Sequence, residues 1–403
     1  MKLAALDLKL ARDLWRMRGH LVAVALVAAC GAATYVTMRG AYEALVEARA
    51  DYYAEYRFAD VFATAKRAPR TLVPRMAAIP GVSAVEDRIV FQVTLDVPGF
   101  ADPATGVVVS LPESHAPALN DVFIHTGRYL APGASNEVLV GESFAKAHGL
   151  KPGDALGAVI NARWQRLTVV GIANSPEFVY VLGGAAIFPD NKRYGVLWMG
   201  RKQLEGALDM KDAFNSVALR VSPGADERLV IAAVDRLLAR YGSPGAHGRD
   251  EQASHQMLDG EIQQDRVTGI VVPAIFLGVA AFLIHNVLTR LIALQRPQIG
   301  VLKAFGYTDA AIAAHYLKLA LAAVLAGCLA GIALGVWLGH GLAHMYQRFF
   351  LFPALEFELS AANVAGVILV CAATAVGGAL PAVRRALRLP PAEAMRTESP
   401  PTF

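Results

Sequence analysis

The sequence predicts a membrane protein in which four transmembrane α-helices carry one large extracytoplasmic α/β domain. Two observations predict it. Uncharged runs occupy Leu21–Met38, Val267–Thr289, Leu319–Gly339 and Leu359–Val383, each within or near the roughly 17–25 residues a helix needs to cross a bilayer. Hydrophobic residues make up 55% of the chain and charged residues 18%, a balance that excludes an ordinary soluble protein.

Taken in order, residues 1–19 form a cytoplasmic amphipathic helix. Leu3, Leu6, Leu10, Leu14 and Met17 recur at helical spacing, with Lys2, Lys9, Asp13 and Arg16 elsewhere on the wheel, which predicts a helix lying in the membrane interface. Span 1 covers 20–39. Within it Val27-Ala28-Ala29-Cys30 resembles a lipoprotein cleavage box, but the apolar run continues to Met38, as a spanning helix would and a signal sequence would not. Residues 40–266 form the extracytoplasmic domain, spans 2, 3 and 4 cover 267–289, 319–339 and 359–383, and the connections are a cytoplasmic loop at 290–318 and an outer loop at 340–358. A cytoplasmic tail, 384–403, closes the chain.

Orientation follows from basic residues near the spans, which stay cytoplasmic. Lys2, Lys9, Arg12, Arg16 and Arg18 precede span 1; Arg290, Arg296, Lys303 and Lys318 lie between spans 2 and 3; Arg384, Arg385, Arg388 and Arg396 follow span 4. The outer loop offers Arg348 against Glu356 and Glu358. Both termini of this multi-pass protein are therefore expected in the cytoplasm, with the large domain outside. The net charge of +4 belongs to these anchors, so no nucleic-acid partner is expected. Cys30, Cys328 and Cys371 all fall in predicted spans, leaving the exported domain to fold without disulfides.

Inside that domain, a polar helix from Ala41 to about Tyr56 extends span 1. A strand at Asp60–Ala63, a helix at Thr71–Ala78, the turn Pro80-Gly81 and alternating residues from Ala84 to Val97 make one β-α-β unit. A strand at Ser216–Val221 and a helix at Asp226–Tyr241 begin a second, and Gln252–Gln264 returns to the membrane. The two are expected to pair around a β-rich insertion at about 98–212, with short strands at Glu137–Val140, Ala158–Ile160 and Leu167–Ile172 and turns at Lys151-Pro152-Gly153-Asp154 and Pro189-Asp190-Asn191.

No catalytic constellation is legible, and no phosphate-binding loop of the form G-x-x-x-x-G-K-[ST] occurs. His340 and His344 share a helix face but lack a nearby Glu or Cys, which favours interfacial histidines over a metal site. His285 lies inside span 2 beside Asn286, where neutral hydrogen bonding would satisfy it. Ser114-His115 and Ser254-His255 are adjacent pairs of the sort chance supplies. Catalytic, cofactor and metal residues are thus expected to be none on this chain.

Two motifs carry more. Gly327, Gly331, Gly335 and Gly339 place a bare stripe along one face of span 3, against which another helix can pack closely, within one subunit or at a dimer seam. In the cytoplasmic loop, Pro297 suits the first turn of a short helix and Gly306 its C-terminal stop. Ile299, Leu302 and Lys303 would then share one face as an apolar and basic knob.

The segment Gln298-Ile299-Gly300-Val301-Leu302-Lys303-Ala304-Phe305-Gly306, the tail Arg384-Arg385-Ala386-Leu387-Arg388-Leu389-Pro390-Pro391-Ala392-Glu393-Ala394-Met395-Arg396 and the four-span layout resemble the FtsX-like permeases of ABC transporters, which include the MacB and LolC types. The resemblance implies an exported domain of two porter-like β-α-β halves with a β-rich part between them. It implies that Pro297, Gln298, Ile299, Gly300, Leu302, Lys303 and Gly306 couple to a separate ABC ATPase subunit, which holds the ATP and Mg. At Gln298 this sequence departs from the acidic residue usual in the family. Further implied partners are a second permease copy or paralogue, a periplasmic adaptor and membrane lipid. Such a chain would turn ATP hydrolysis on its partner into motion of the exported domain for export, extraction or mechanotransmission. Many relatives carry a second copy of spans and domain, so a half-length subunit or a shortened permease is expected. The competing classes are a sensory receptor, a regulator of an extracytoplasmic hydrolase and a membrane enzyme.

Overall fold

The computed structural model describes residues 5–100, 102, 104–113, 116–183 and 189–388. Lys2, Leu3, the Ser114-His115 pair and the tail from Leu389 lie outside these residues. In chain order, helices α1 (Ala5–Arg16) and α2 (Arg18–Glu55) lead into strand β1 (Val61–Pro69), helix α3 (Val73–Ala77) and strands β2 (Val82–Arg88), β3 (Val90–Asp96), β4 (Ala104–Leu111), β5 (Phe123–Gly127) and β6 (Glu137–Gly141). Helix α4 (Glu142–His148), strands β7 (Ala155–Ile160), β8 (Arg163–Asn174) and β9 (Tyr194–Gly200), helix α5 (Arg201–Ala207), strand β10 (Ala213–Val221), helix α6 (Glu227–Leu238) and strand β11 (Ala246–Gly248) complete the domain. Helices α7 (Ala253–Leu294), α8 (Arg296–Ala304), α9 (Asp309–Tyr346) and α10 (Ala361–Leu387) follow.

Two compact units divide the chain. The first comprises residues up to Ala44, Gln263–His344 and Glu356 onward; the second comprises Leu45–Ile262 and Met345–Leu355. Among the described residues four helices, α2, α7, α9 and α10, are long and apolar enough to cross a membrane, and α2 runs without interruption through Cys30. In the first unit they enclose an apolar core that includes Val24, Ala28, Ile284, Leu319, Cys328 and Cys371. Their outer faces expose Ile270, Ile275, Phe282, Leu329, Trp337 and Leu369, a surface suited to acyl chains rather than water.

The described residues of the second unit form two sheets. One is antiparallel, in the order β11-β1-β10-β2, with Val61 opposite Leu219 and Val217 opposite Asp87. Its apolar face is covered by α3 and α6: Val61, Phe214, Val217 and Leu219 pack with Met76, Val230, Val234 and Leu238. Asp226 caps α6 by accepting from the Arg228 N–H at 2.9 Å, one of the donors that the helix end leaves open. These strands and helices are the two paired β-α-β halves of the expected fold class.

The other sheet closes on itself. β8 pairs with β7 through its first half and with β6 through its second, so that β8-β6-β9-β4-β3-β7 form a ring with β5 at the edge. Alternation along β4 serves both faces: Val108 enters the core shared with Leu95, Val140 and Phe144, whereas Val107 and Val109 enter the one shared with Leu139 and Trp198. β4 and β9 approach closely in parallel, and a Cβ at Gly106 would stand 2.6 Å from the Gly195 carbonyl.

The run Ala84–Val97, expected as one alternating stretch, is two strands in two different sheets. The break is at Ile89, whose N–H donates to Ser110 Oγ at 2.8 Å. Charged residues pin this seam: Arg201 reaches Asp87 at 2.8 Å and donates to the Ala213 carbonyl, Arg70 meets Asp87 at 2.9 Å, and buried Arg88 pairs with Glu177.

Candidate functional site

The short helix α8 is built as its sequence asks. Gln295 precedes it, Pro297 occupies the first turn, where a missing N–H costs nothing, and the Ile299 N–H donates to the Gln295 carbonyl at 3.0 Å. At the other end Gly306 adopts φ +85°, its N–H donates to the Lys303 carbonyl at 3.0 Å, and the Tyr307 N–H donates to that of Leu302 at 3.1 Å. A left-handed residue there lets the last carbonyls be satisfied. Thr308 Oγ1 then accepts from the Ala311 N–H at 3.2 Å to start α9.

The outward face of α8 differs from the expected knob. Ile299, Leu302 and Lys303 do share a face, but it is the inward one. Ile299 is buried in the helical core with Leu302 packed beside it. The Lys303 side chain is only 11% exposed, donates to the Leu387 carbonyl at 2.9 Å and meets Asp309 at 3.0 Å. A carbonyl at the end of α10 and a carboxylate at the start of α9 therefore draw the ammonium inward. Gly300 is buried as well, while Pro297, Gln298, Val301, Ala304, Phe305 and Gly306 face outward, with Phe305 79% exposed.

Beneath α8 lies a polar cluster that sequence reading missed. Lys9 and Asp13 of α1 form an ion pair, and Lys9 Nζ also donates to Gln295 Oε1 at 2.9 Å. Gln295 Nε2 donates to Asp13 Oδ1 at 3.4 Å, the Tyr316 hydroxyl donates to Gln295 Oε1 at 2.9 Å, and His315 Nε2 stands 3.3 Å from Asp13 Oδ2. Asp13 is 7% exposed. Burial works to raise its pKa, but the hydrogen bond and charge of Lys9, with help from His315 and Gln295, outweigh it and hold the carboxyl below the ordinary Asp range. Lys9 and Asp13, expected to face away from the apolar stripe of α1, are thus turned inward, whereas Arg16 stays exposed and Leu10, Leu14 and Met17 of the stripe pack against the helical core. The polar partners on α9 and at Gln295 account for the burial of this pair. A usable signal was the placement of Lys9 and Asp13 at i, i+4, a self-neutralising pair able to accept burial.

The glycine stripe lies against α2. A Cβ on Gly327 would stand 2.2 Å from the Ala25 carbonyl oxygen, one on Gly331 2.5 Å from that of Ala29, and one on Gly335 2.7 Å from Val36 Cβ. Thr37 Oγ1 donates to the Gly335 carbonyl at 3.1 Å. Gly339 instead meets the Phe357 ring, as does Gly40. Elsewhere in the bundle Gly378 of α10 abuts the Ala281 carbonyl of α7. The helices approach backbone to backbone, the packing that small residues permit in lipid.

The other polar candidates serve structure. Ser254 Oγ accepts from the Tyr180 N–H at 2.8 Å, whereas His255 Nδ1 lies 3.1 Å from the Tyr53 hydroxyl, so the adjacent pair has separate partners. His340 Nδ1 lies 2.8 Å from the Val336 carbonyl and its ring packs on Phe357, while His344 is exposed one turn on. His285 Nδ1 is buried without a hydrogen-bond partner among the described residues, in contrast to the hydrogen bonding expected there. Among the described residues no group of three His, Cys, Asp or Glu side chains is placed to share a metal ion.

Comparison with known proteins bears on the same features. Residues 19–237 match the family model of the MacB-like periplasmic core domain, and residues 270–391 match that of the FtsX-like permease C-terminal region. No curated protein sequence matches the chain. Among solved structures, the extracellular domain of the noncanonic ABC-type transporter YknZ from Gram-positive bacteria is similar at 10% identity over 47% of this chain and 98% of that one, with a TM-score of 0.33. The periplasmic region of MacB from Actinobacillus actinomycetemcomitans is similar at 11% identity over 53% and 97%, with a TM-score of 0.32. A domain of a putative permease protein from Porphyromonas gingivalis is similar at 13% over 47% and 84%, with a TM-score of 0.30.

Proposed function

Because this chain belongs to the FtsX-like permeases with a MacB-like periplasmic core domain, a family of non-catalytic ABC permease subunits, we propose that α8 docks on a separate ABC ATPase. ATP and Mg are held by that partner, whose closure moves the helices that carry the exported domain. The observation that carries this reading is the outward face of α8: Val301 and Phe305 are exposed on a helix whose other face is fixed by Ile299 and Lys303. Exposed apolar side chains on a rigid element fit an interface better than a loop that only sets orientation. Gln298, Pro297 and Gly306 border that face, whereas Ile299, Gly300, Leu302 and Lys303 hold α8 in place from behind.

In this reading the termini and α8 are cytoplasmic, spans at 20–39, 267–289, 319–339 and 359–383 cross the inner membrane, and two permease copies complete the assembly. Residues of α2, α7 and α9 contribute to both compact units, which suits transmission of motion along helices. The few polar groups in the spans argue against a hydrophilic pore, which favours extraction or mechanotransmission by the exported domain, with a periplasmic adaptor as a further partner.

Co-expression with the candidate ATPase tests this. The parent should co-purify with it and alter its turnover. Burial of a large apolar side chain is worth about 1.5–3 kcal/mol, so Phe305→Asp should weaken binding at least about tenfold while the chain melts as the parent does. Unchanged binding and turnover in that variant would move the contact elsewhere, and a parent that binds no ATPase would favour a receptor.

A further inference from the structure

A cavity of about 450 Å3 opens where α1 and the first turn of α2 meet the last turns of α7 and the start of α8. Its walls combine two chemistries. Arg16, His20 and Arg290 supply basic groups, and Met17, Val287 and Leu294 supply apolar surface. Among the described residues, the one acid in its lining is Asp13, already engaged by Lys9, His315 and Gln295. Arg16 and Arg290 form no ion pair with a described residue, so among the described residues the cavity carries two guanidinium groups without a counterion.

Its position narrows the occupant. Arg290 directly follows the uncharged run ending at Thr289, and Arg16 precedes the run beginning at Leu21, so both stand at the same edge of the apolar bundle. Trp15 is exposed beside them with the Arg18 guanidinium 5.0 Å from its ring, an arrangement favoured at headgroup depth. An anion that only needed charge would not need Val287 and the exposed Leu294 as neighbours. A phospholipid needs both.

We propose that this cavity binds the headgroup of an anionic phospholipid, with the phosphodiester between Arg16 and Arg290 and an acyl chain along Val287 and Leu294. Basic pockets between transmembrane helices recognise such headgroups, and guanidinium groups match phosphate oxygens bidentately. Gln295 and Gln298 also line the cavity, so the lipid would sit against the first turn of α8. The binding claim does not depend on the ATPase reading, because it is measured on the permease alone.

The test uses the full chain, delipidated in mild detergent and titrated with short-chain phosphatidylglycerol, phosphatidylcholine or inorganic phosphate, with bound ligand counted by native mass spectrometry. Phosphatidylglycerol should bind at least about tenfold more tightly than phosphatidylcholine, and excess inorganic phosphate should not displace it. Arg16→Gln with Arg290→Gln should weaken it about thirtyfold, on the footing of two cationic side chains lost. Arg12→Gln with Arg18→Gln, which removes two basic residues outside the cavity lining, should bind as the parent does. Arg16→Lys with Arg290→Lys keeps both charges and should stay within a few-fold of the parent, which covers the case in which the neutral pair fails to fold. Equal binding of the two lipids, or parent-like binding by the neutral pair, would overturn the proposal. So would displacement by inorganic phosphate, which would mark a free-anion site, or equal losses in the two Gln pairs, which would mark a diffuse surface effect.

Discussion

Substituting Gly327 by Ala adds one methyl group at the tightest backbone contact of the glycine stripe. The new Cβ would lie 2.2 Å from the Ala25 carbonyl oxygen, and reaching the 3.4 Å of ordinary contact requires a shift of 1.2 Å (3.4 minus 2.2). The obstacle is backbone of α2, which cannot rotate away as a side chain would. Forcing such a shift costs about 1–3 kcal/mol. The same substitution at Gly341, on the same helix, meets nothing within 4 Å. Each variant gains about 1 kcal/mol of helix propensity, so the propensity cancels between them and the strain remains. Thermal melts of the two variants should therefore differ by several degrees, at about 2–4 °C per kcal/mol, with Gly327→Ala below the parent and Gly341→Ala at or above it. Coincident melts would show that α9 can back away from α2 without loss and would refute the close-packing argument.

Acid dependence should follow Asp13. Its folded pKa lies below its unfolded one, so its stabilisation is full above the unfolded value of about 4 and is lost as pH falls through the folded value. Asp13→Asn should flatten this acid loss in melts taken between neutral and acid pH, and should cost about 3–5 kcal/mol at neutrality by leaving Lys9 buried without a counterion. In the exported domain, Glu177→Ala strands buried Arg88 at the seam between the sheets and should cost a similar amount in denaturant unfolding; a change below about 1 kcal/mol would mean that the seam relaxes. Lys303→Glu should lower stability as well as binding, because its ammonium holds Leu387 and Asp309, whereas Phe305→Asp should lower binding alone. In a background without Cys30, Cys328 and Cys371, an impermeant thiol reagent should label Ser135→Cys in intact cells and not Ala310→Cys; labelling of the second would reverse the proposed orientation. Ser110, though within the exported domain, would be a poor probe at 3% exposure.

The features legible in the sequence are those that local pattern determines. A helix that must satisfy its own backbone in lipid needs an uncharged run, so α2, α7, α9 and α10 stand out. The halves of the four-stranded sheet show because Val61, Ala63, Val217 and Leu219 alternate in strands next to amphipathic α6. The break at Ile89 does not show, since alternation runs on through Val97 and the side chains that mark the change of sheet, Ser110 at Ile89 and Asn215 at Val90, lie 21 and 125 residues away. Closure of the barrel is hidden likewise: β7 and β8 form a local hairpin, but the ring also needs β8 to pair with β6 and β7 to pair with β3, strands separated from them in sequence. At α8, Pro297 and Gly306 announce a short helix, but not which way it faces. That is set by Leu387, Asp309 and the cluster around Gln295, whose partners lie up to several hundred residues away. Charged residues such as Lys303 and Asp13 read as solvent-facing until those partners are seen.

The central claim is that the outward face of α8 touches an ATPase, and site-specific photo-crosslinking tests it most directly. A photoreactive amino acid placed at Phe305 in the assembled complex should form an adduct with the ATPase subunit, while one at the exposed, lipid-suited Trp337 should not. An intact complex that yields no ATPase adduct from Phe305, or as much from Trp337, would contradict the account.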